Sequence, residues 1–72
     1  MKISISYCVA WNYLPQATSL AATLKKELGV NVKIIKGQKG EFEVVVDGDL
    51  IFSKTKLGRF PEHAEILENI PA

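Results

Sequence analysis

The sequence predicts one α/β domain, a two-layer sandwich with the element order βαβββα. The chain has 72 residues, enough for one small core. Apolar residues alternate with polar ones in several short segments, which is typical of strands, and recur at spacings of three and four in two others, which is typical of helices. We expect a mixed four-stranded sheet of order 2-1-3-4, with the last two strands antiparallel and two helices over its apolar face, spanning residues 1–72.

The first half of the chain predicts a strand, a helix and a second strand. Polar and apolar residues alternate strictly over residues 2–7, as in a half-buried strand. Pro15 suits the first turn of a helix and Gly29 suits its end. An alternating segment at 30–35 then predicts a second strand, parallel to the first with a right-handed crossover. The apolar stripe of the helix consists of Ala17, Leu20, Ala21, Leu24 and Leu28.

The second half predicts a hairpin and a last helix. Residues 42–46 are dense in β-branched residues and predict a third strand. The Asp-Gly pair at 47–48 is a strong turn signal, and residues 50–53 follow it as a fourth strand. We expect a loop at 55–60 and a helix that Pro61 opens. The residues expected to pack inward from that helix are Ala64, Ile66, Leu67 and Ile70.

This topology is the core of the thioredoxin-like fold, and it places the only cysteine, Cys8, just past the end of the first strand. Sites in open α/β sheets form at the carboxyl ends of strands. The unpaired N–H groups and the dipole of a nearby helix start stabilise a thiolate, the reactive form of cysteine. The position therefore favours a reactive thiol at Cys8. The alternative is an inert, buried cysteine that packs as a small apolar residue.

Composition excludes several classes of function. A net charge of +1 gives no electrostatic case for nucleic acid or for an acidic membrane surface. One cysteine cannot form an internal disulfide, which indicates a reducing, cytoplasmic location. One cysteine and one histidine fall short of a zinc site, so we expect no metal. That histidine, His63, could act as a base for Cys8, but a histidine in the first turn of a helix is more often exposed to solvent.

Four segments together resemble the selenoprotein W-like proteins, also called the Rdx family. In chain order they are Tyr-Cys-Val-Ala-Trp-Asn-Tyr-Leu at 7–14, Gly-Glu-Phe-Glu-Val at 40–44, Val-Asp-Gly at 46–48 and Gly-Arg-Phe-Pro at 58–61. The resemblance covers nearly the whole chain. It implies a thioredoxin-like fold and a redox role based on a thiol or selenol. It implies no bound cofactor, and a partner that is glutathione, as possible reductant, or a protein thiol.

The resemblance also marks one departure, at Trp11. The family carries Cys-x-x-Cys or Cys-x-x-selenocysteine after the first strand, so that Cys8 matches the first redox position and Trp11 falls on the second. Tryptophan forms no disulfide. Two explanations stay open. Either the chain has lost its second redox residue and Trp11 packs over the site, or position 11 is natively selenocysteine, whose TGA codon differs from the tryptophan codon TGG only in its third base.

Each explanation implies its own mechanism. A selenol at position 11 would attack a peroxide or disulfide first, and Cys8 would resolve the product before a thiol such as glutathione restored both. With Trp11, Cys8 acts alone, forms a sulfenic acid or a mixed disulfide, and makes the chain a poor dithiol reductase. The residues expected to line the site are Val9, Ala10, Asn12, Tyr13, Gly58 and Phe60.

A function of a different class is also open. The segment at 8–14 would suit an exposed apolar patch of a non-catalytic interaction module. A fast-reacting Cys8 would support redox work, whereas a slow thiol beside an exposed Trp11 would favour binding. The chain is expected to be a monomer, or a dimer that pairs through its last strand at the sheet edge.

Overall fold

The structure, a computed structural model that describes residues 1–70, has the element order βαβββαα. The strands are β1 (Ile3–Cys8), β2 (Val32–Gly37), β3 (Phe42–Val46) and β4 (Asp49–Ser53). The helices are α1 (Leu14–Leu28), α2 (Lys54–Leu57) and α3 (His63–Asn69). Within residues 1–70, no helix is both long enough and apolar enough to cross a membrane.

The sheet has the order β2-β1-β3-β4, which confirms the predicted topology. β1 is parallel to β2 and antiparallel to β3, and β3 is antiparallel to β4. Ile5 lies opposite Ile34 in β2 and opposite Val44 in β3. The register between β3 and β4 shifts between Val44 and Val45. β1 is therefore a central strand, hydrogen-bonded along both of its edges.

The core lies between one face of the sheet and the helices. Its members from α1 are Ala17, Leu20 and Leu24, as the apolar stripe predicts. The remaining buried residues of the core are Ile3, Ile5, Tyr7, Phe42, Val44, Val46, Phe52, Ile66 and Ile70. The opposite face of the sheet carries the exposed side chains of Ile35 and Leu50. The domain is thus a two-layer sandwich with one open sheet face.

Helix α1 begins and ends as the sequence predicts. Pro15 lies in the first turn, and Gly29 caps the last turn with φ of 68° while its N–H donates to the carbonyl of Lys25. A left-handed residue at this position suits glycine, which has no Cβ to clash. Leu28, which was expected to face the core, is exposed instead because it lies in the last turn, beyond the final core contact at Leu24.

The second strand and the segment after β4 differ from the prediction. β2 spans Val32–Gly37 rather than residues 30–35, because its pairing with β1 runs from Ile3 opposite Val32 to Cys8 opposite Gly37. The segment that follows β4 was expected to be a loop but forms the short helix α2, which Gly58 ends with φ of 74°. The structure therefore has three helices within residues 1–70 where two were expected.

The last helix starts two residues later than predicted. Glu62 is its N-cap, and a capping box links Glu62 and Glu65, so that Pro61 lies before the helix. Ile66 and Ile70 are buried, as expected, whereas Ala64 is exposed. Residues two apart on a helix face nearly opposite directions, and burial of Ile66 therefore turns Ala64 outward.

An ion pair ties the segment before α3 to its first turn. Arg59 donates two hydrogen bonds to the carboxylate of Glu65, one of them from Nη2 to Oε2 at 3.0 Å. The same carboxylate accepts the N–H of Glu62 at 2.8 Å. These hydrogen bonds lower the pKa of Glu65 from 4.5 to about 2. The charged form of Glu65 is therefore the one that the folded chain favours.

Acid should weaken the fold through this carboxylate. Because the pKa of Glu65 is lower in the folded chain than in the unfolded one, its contribution is complete above about pH 4.5 and is lost as the pH falls toward 2. We expect the melting temperature of the wild type to exceed that of E65Q near neutral pH and the two to converge at low pH. Circular dichroism melts at several pH values measure this difference.

The matched control is E68Q, which removes an exposed glutamate of the same helix. Its melting temperature should follow that of the wild type at every pH. Glutamine at position 65 can still accept the capping hydrogen bond, but it lacks the charge and the second oxygen that accepts from Nη2 of Arg59. A gap between the wild type and E65Q that stays constant down to low pH would contradict the prediction.

Candidate functional site

The loop between β1 and α1, residues 9–13, folds back over the end of β1. The N–H of Asn12 donates to the carbonyl of Val9 at 3.1 Å, and the N–H of Tyr13 donates to the carbonyl of Cys8 at 3.0 Å. Asn12 adopts the left-handed conformation, with φ of 55°. Two nested hydrogen bonds around a left-handed residue form the Schellman pattern, which asparagine tolerates better than most residues. We call residues 9–13 the thiol loop.

Cys8 lies beneath this loop. It is the last residue of β1, where the sequence placed it just past the strand, and its exposed fraction is 0%. Its Sγ accepts the backbone N–H of Trp11 at 3.3 Å. The sulfur therefore faces the loop that leads into α1, at the end of the sheet that the sequence indicates. The thiol is closed to solvent in this structure.

Trp11 contacts the sulfur through its backbone and the neighbouring loop through its ring. The side chain is 51% exposed. A Cβ on Gly40, in the loop between β2 and β3, would lie 3.1 Å from Cζ3 of Trp11, and Gly40 has φ of 80°. The ammonium of Lys39 lies 5.9 Å from the centroid of the same ring. Trp11 thus joins the thiol loop to the β2–β3 loop, and a side chain at position 40 would press on its ring.

Four aromatic rings connect this surface to the core, in the sequence Trp11, Tyr13, Phe60 and Phe42. Successive ring centroids are 6.0, 4.7 and 5.3 Å apart, and each pair meets edge to face. Such pairs add to the stability that burial alone provides. Lys54 lies over two of the rings, with its Nζ 5.3 Å from the centroid of Tyr13 and 5.2 Å from that of Phe60. We call the four rings the aromatic row.

The structure brings most of the residues expected at the site into one region. Trp11, Asn12 and Tyr13 surround Cys8 through hydrogen bonds of the thiol loop, and Phe60 reaches Tyr13 from the segment before α3. Val9 and Ala10 are exposed in the loop itself.

Two further residues considered for the site, Gly58 and His63, have other roles in the structure. Gly58 caps α2, and a Cβ built on it would meet no atom within 4 Å. His63 is hydrogen-bonded through Nδ1 to Oγ1 of Thr23 at 2.9 Å, which links α3 to α1 rather than to Cys8. Within residues 1–70, no group of three or more histidine, cysteine or carboxylate residues could hold a metal ion.

Sequence reasoning missed Lys39, Gly40 and Lys54, which come from other parts of the chain. Nothing in a lysine's sequence position shows that its ammonium lies over an aromatic ring. The glycine was recognised only as a loop signal, although its close approach to Trp11 makes it part of the site. A cleft of about 280 Å³ adjoins the aromatic row, with a floor that includes Leu20, Phe42 and Phe60.

Comparisons with known proteins agree with this fold. A model of the Rdx family matches residues 2–72. The crystal structure of a selenoprotein W-related protein from Vibrio cholerae superimposes with a TM-score of 0.90 at 24% identity, covering 94% of this chain and 89% of that one. A crystal structure of a protein from Bordetella parapertussis gives a TM-score of 0.81 at 26% identity, covering 94% and 90%.

Two curated relatives are similar in sequence. Migration and invasion enhancer 1 from Bos taurus is 30% identical over 71 residues, and its counterpart from Mus musculus is 32% identical over 71 residues. The matched segment covers 97% of this chain but 62% of each relative. The chain therefore spans less than two thirds of the length of these relatives.

The contact between Trp11 and Gly40 can be tested with a matched pair of glycines. Gly40 and Gly48 both have positive φ, but a Cβ would meet Trp11 only at Gly40 and nothing within 4 Å at Gly48. We expect G40A and G48A each to lower the free energy of unfolding by about 1–2 kcal/mol, because alanine is strained in this conformation. Only G40A should also change the fluorescence of Trp11, the one tryptophan of the chain.

Urea denaturation and emission spectra of the folded variants measure both effects. An unchanged emission spectrum in folded G40A would show that the Trp11 ring does not rest on this loop. An equal change of emission in G48A would show that the response is not specific to the contact.

Proposed function

Because the chain belongs to the Rdx family, we propose that it is a thiol-based redox protein in which Cys8 is the reacting group. One observation carries the proposal. The backbone N–H of Trp11, at the family's second redox position, donates to Sγ of Cys8 at 3.3 Å. The loop thus holds position 11 beside the sulfur, as a redox pair requires, although the residue there is tryptophan.

The chemistry we propose begins with movement of the thiol loop, since Cys8 is fully buried when the loop is closed. The exposed thiolate then attacks a disulfide, forms a mixed disulfide with one of its sulfurs and releases the other as a thiolate. A second thiol, for which glutathione is a candidate, attacks the mixed disulfide and restores Cys8. With a peroxide in place of the disulfide, the thiolate attacks one peroxide oxygen, the O–O bond breaks, and water or an alcohol leaves while Cys8 becomes a sulfenic acid.

The codon for residue 11 in the natural gene decides whether the loop supports a two-residue or a one-cysteine redox mechanism. A TGA codon with a selenocysteine-insertion hairpin downstream would make Trp11 a substitute for selenocysteine and would support the two-residue mechanism. A TGG codon without such a hairpin would make this a one-cysteine member of the family. With a TGA codon, the selenol would attack first and Cys8 would resolve the product, whereas with a TGG codon Cys8 is itself the attacking group.

A second candidate function is a binding module. The exposed apolar side chains of the thiol loop and the burial of Cys8 favour it. Val9 and Trp11 are 53% and 51% exposed, whereas Cys8 is 0% exposed. Half-exposed apolar side chains over a closed thiol suit contact with a partner protein. If this candidate is correct, C8S keeps the partner binding of the wild type, and Trp11→Ala loses it.

The proposed gating predicts that loop stability controls the reactivity of Cys8. N12A puts a residue with little tolerance for the left-handed conformation at φ of 55°. We expect it to lower the free energy of opening the loop by about 1 kcal/mol. The rate of mixed-disulfide formation should then rise about fivefold. N12G, the matched control, tolerates the conformation and should react at nearly the wild-type rate.

Mass spectrometry after timed exposure to a small disulfide measures these rates, and C8S provides the blank. Equal rates in N12A, N12G and the wild type would show that the loop does not gate the thiol. If Cys8 forms no mixed disulfide in any variant, the redox proposal fails and the binding module remains.

The position of residue 11 predicts that a second cysteine there can pair with Cys8. We expect W11C to form an internal disulfide on mild oxidation, because the backbone of residue 11 already contacts Sγ of Cys8. Loss of two hydrogen atoms by mass spectrometry and loss of titratable thiols measure it. W11S is the control and should stay a monothiol. If W11C kept both thiols under oxidation, the loop geometry would not be that of a redox pair.

A further inference from the structure

Two lysine ammonium groups lie over aromatic rings of the thiol loop. Nζ of Lys39 is 5.9 Å from the ring centroid of Trp11. Nζ of Lys54 is 5.3 Å from the centroid of Tyr13, whose N–H is bonded to the carbonyl of Cys8. Within residues 1–70, the ion pair joins Arg59 and Glu65 and includes neither lysine. Among the described residues, neither cation beside the thiol loop has a carboxylate within 4.0 Å.

Lys54 is placed by the end of β4 and by two aromatic rings. It follows Ser53, the last residue of β4, and is the first residue of α2, a helix of a single turn. Its ammonium lies over the rings of Tyr13 and Phe60, contacts that favour a cation. The fold thus holds this charge at the end of the sheet where Cys8 lies.

Two carboxylates on the segments next to these lysines accept hydrogen bonds from other groups. Glu41, in the same loop as Lys39, accepts the N–H of Gln38 at 2.8 Å. Glu43, on β3, accepts a hydrogen bond from Oγ of Ser53 at 3.1 Å. Neither forms an ion pair within 4.0 Å of a lysine in residues 1–70.

We propose that Lys39 and Lys54 select anionic substrates for the reaction of Cys8, namely disulfides flanked by carboxylates. The proposal rests on the thiol redox function proposed above. Cys8 forms a new bond to one sulfur of the substrate, and the other sulfur leaves as a thiolate on a fragment that already carries a carboxylate. The two ammonium groups attract the substrate to the loop and favour the negative charge that the leaving sulfur acquires.

The effect of the two lysines on the reaction rate depends on how strongly salt screens their charges. Charges on an exposed surface act over about 10 Å at 0.1 M salt and about 3 Å at 1 M salt. Clefts and loops of one charge raise association rates by roughly 10-fold to 1,000-fold at low ionic strength. With two lysines, one exposed and one half-buried, we expect the low end of this range, and we expect high salt to abolish it.

The test compares three dialkyl disulfides of similar size. These are 3,3′-dithiodipropionate, which is dianionic, 2-hydroxyethyl disulfide, which is neutral, and cystamine, which is dicationic. Formation of the mixed disulfide on Cys8 is followed by mass spectrometry at low and high salt. The double variant K39Q/K54Q is compared with the wild type, so that the intrinsic reactivity of each reagent cancels.

At low salt we expect K39Q/K54Q to slow the reaction with the dianion about tenfold and to leave the neutral reagent within about twofold of the wild-type rate. Cystamine should react faster with the variant. The matched control is K25Q/K26Q, which removes two exposed lysines from the far end of α1 and should change no rate. Equal slowing of all three reagents, or no slowing with the dianion, would overturn the proposal.

A disulfide of a peptide with glutamates on both sides of its cysteine tests whether the anionic substrate is a protein segment or a small molecule. A greater dependence on the two lysines for the peptide than for the small dianion identifies an acidic protein segment as the substrate. An equal dependence identifies a small acidic thiol. Either result supports selection of anions by Lys39 and Lys54.

A second measurement separates failure of this proposal from failure of the redox function. If no disulfide reacts with Cys8, the fluorescence of Trp11 is titrated with hexaglutamate and with hexalysine. A response to hexaglutamate alone, lost in K39Q/K54Q and in high salt, would retain anion selection while the redox function fails. The absence of any response to hexaglutamate would overturn anion selection as well.

Discussion

The central position of β1 is the constraint on which the rest of the structure depends. β1 is hydrogen-bonded to β2 on one side and to β3 on the other, and its side chains toward α1 are buried. A strand paired along both edges cannot shift its register without breaking both ladders. Its last residue, Cys8, is therefore held in place by the whole sheet. The other loops of the site are arranged around that fixed point.

This constraint explains why the thiol is buried and why its cover is a loop. The chain must leave the strand and enter α1 within five residues, 9–13, and the left-handed Asn12 makes so tight a turn possible. The turn folds over the sulfur and gives it the N–H of Trp11 as a donor. The energetic cost of opening the turn is small compared with that of disturbing β1, because it involves few hydrogen bonds.

Aromatic and cationic side chains from distant segments meet at the end of the sheet where Cys8 lies. Phe60 precedes α3, Lys39 follows β2 and Lys54 follows β4, yet all three contact rings of the aromatic row. The row connects the half-exposed Trp11 to the buried Phe42, so that the thiol loop is supported by the core itself. A loop that rests on the core and encloses a thiol is an arrangement that both redox chemistry and partner binding would use.

The sequence by itself determined the sheet order, the bounds of α1 and the placement of Cys8 at the end of a central strand, because period, capping residues and crossover rules act locally. It did not show that Cys8 is fully buried or that α2 replaces a loop. Those features depend on how the thiol loop, Gly40 and the segment after β4 pack together. Tertiary structure decided them because solvent access and contacts between cations and rings arise only when distant segments meet.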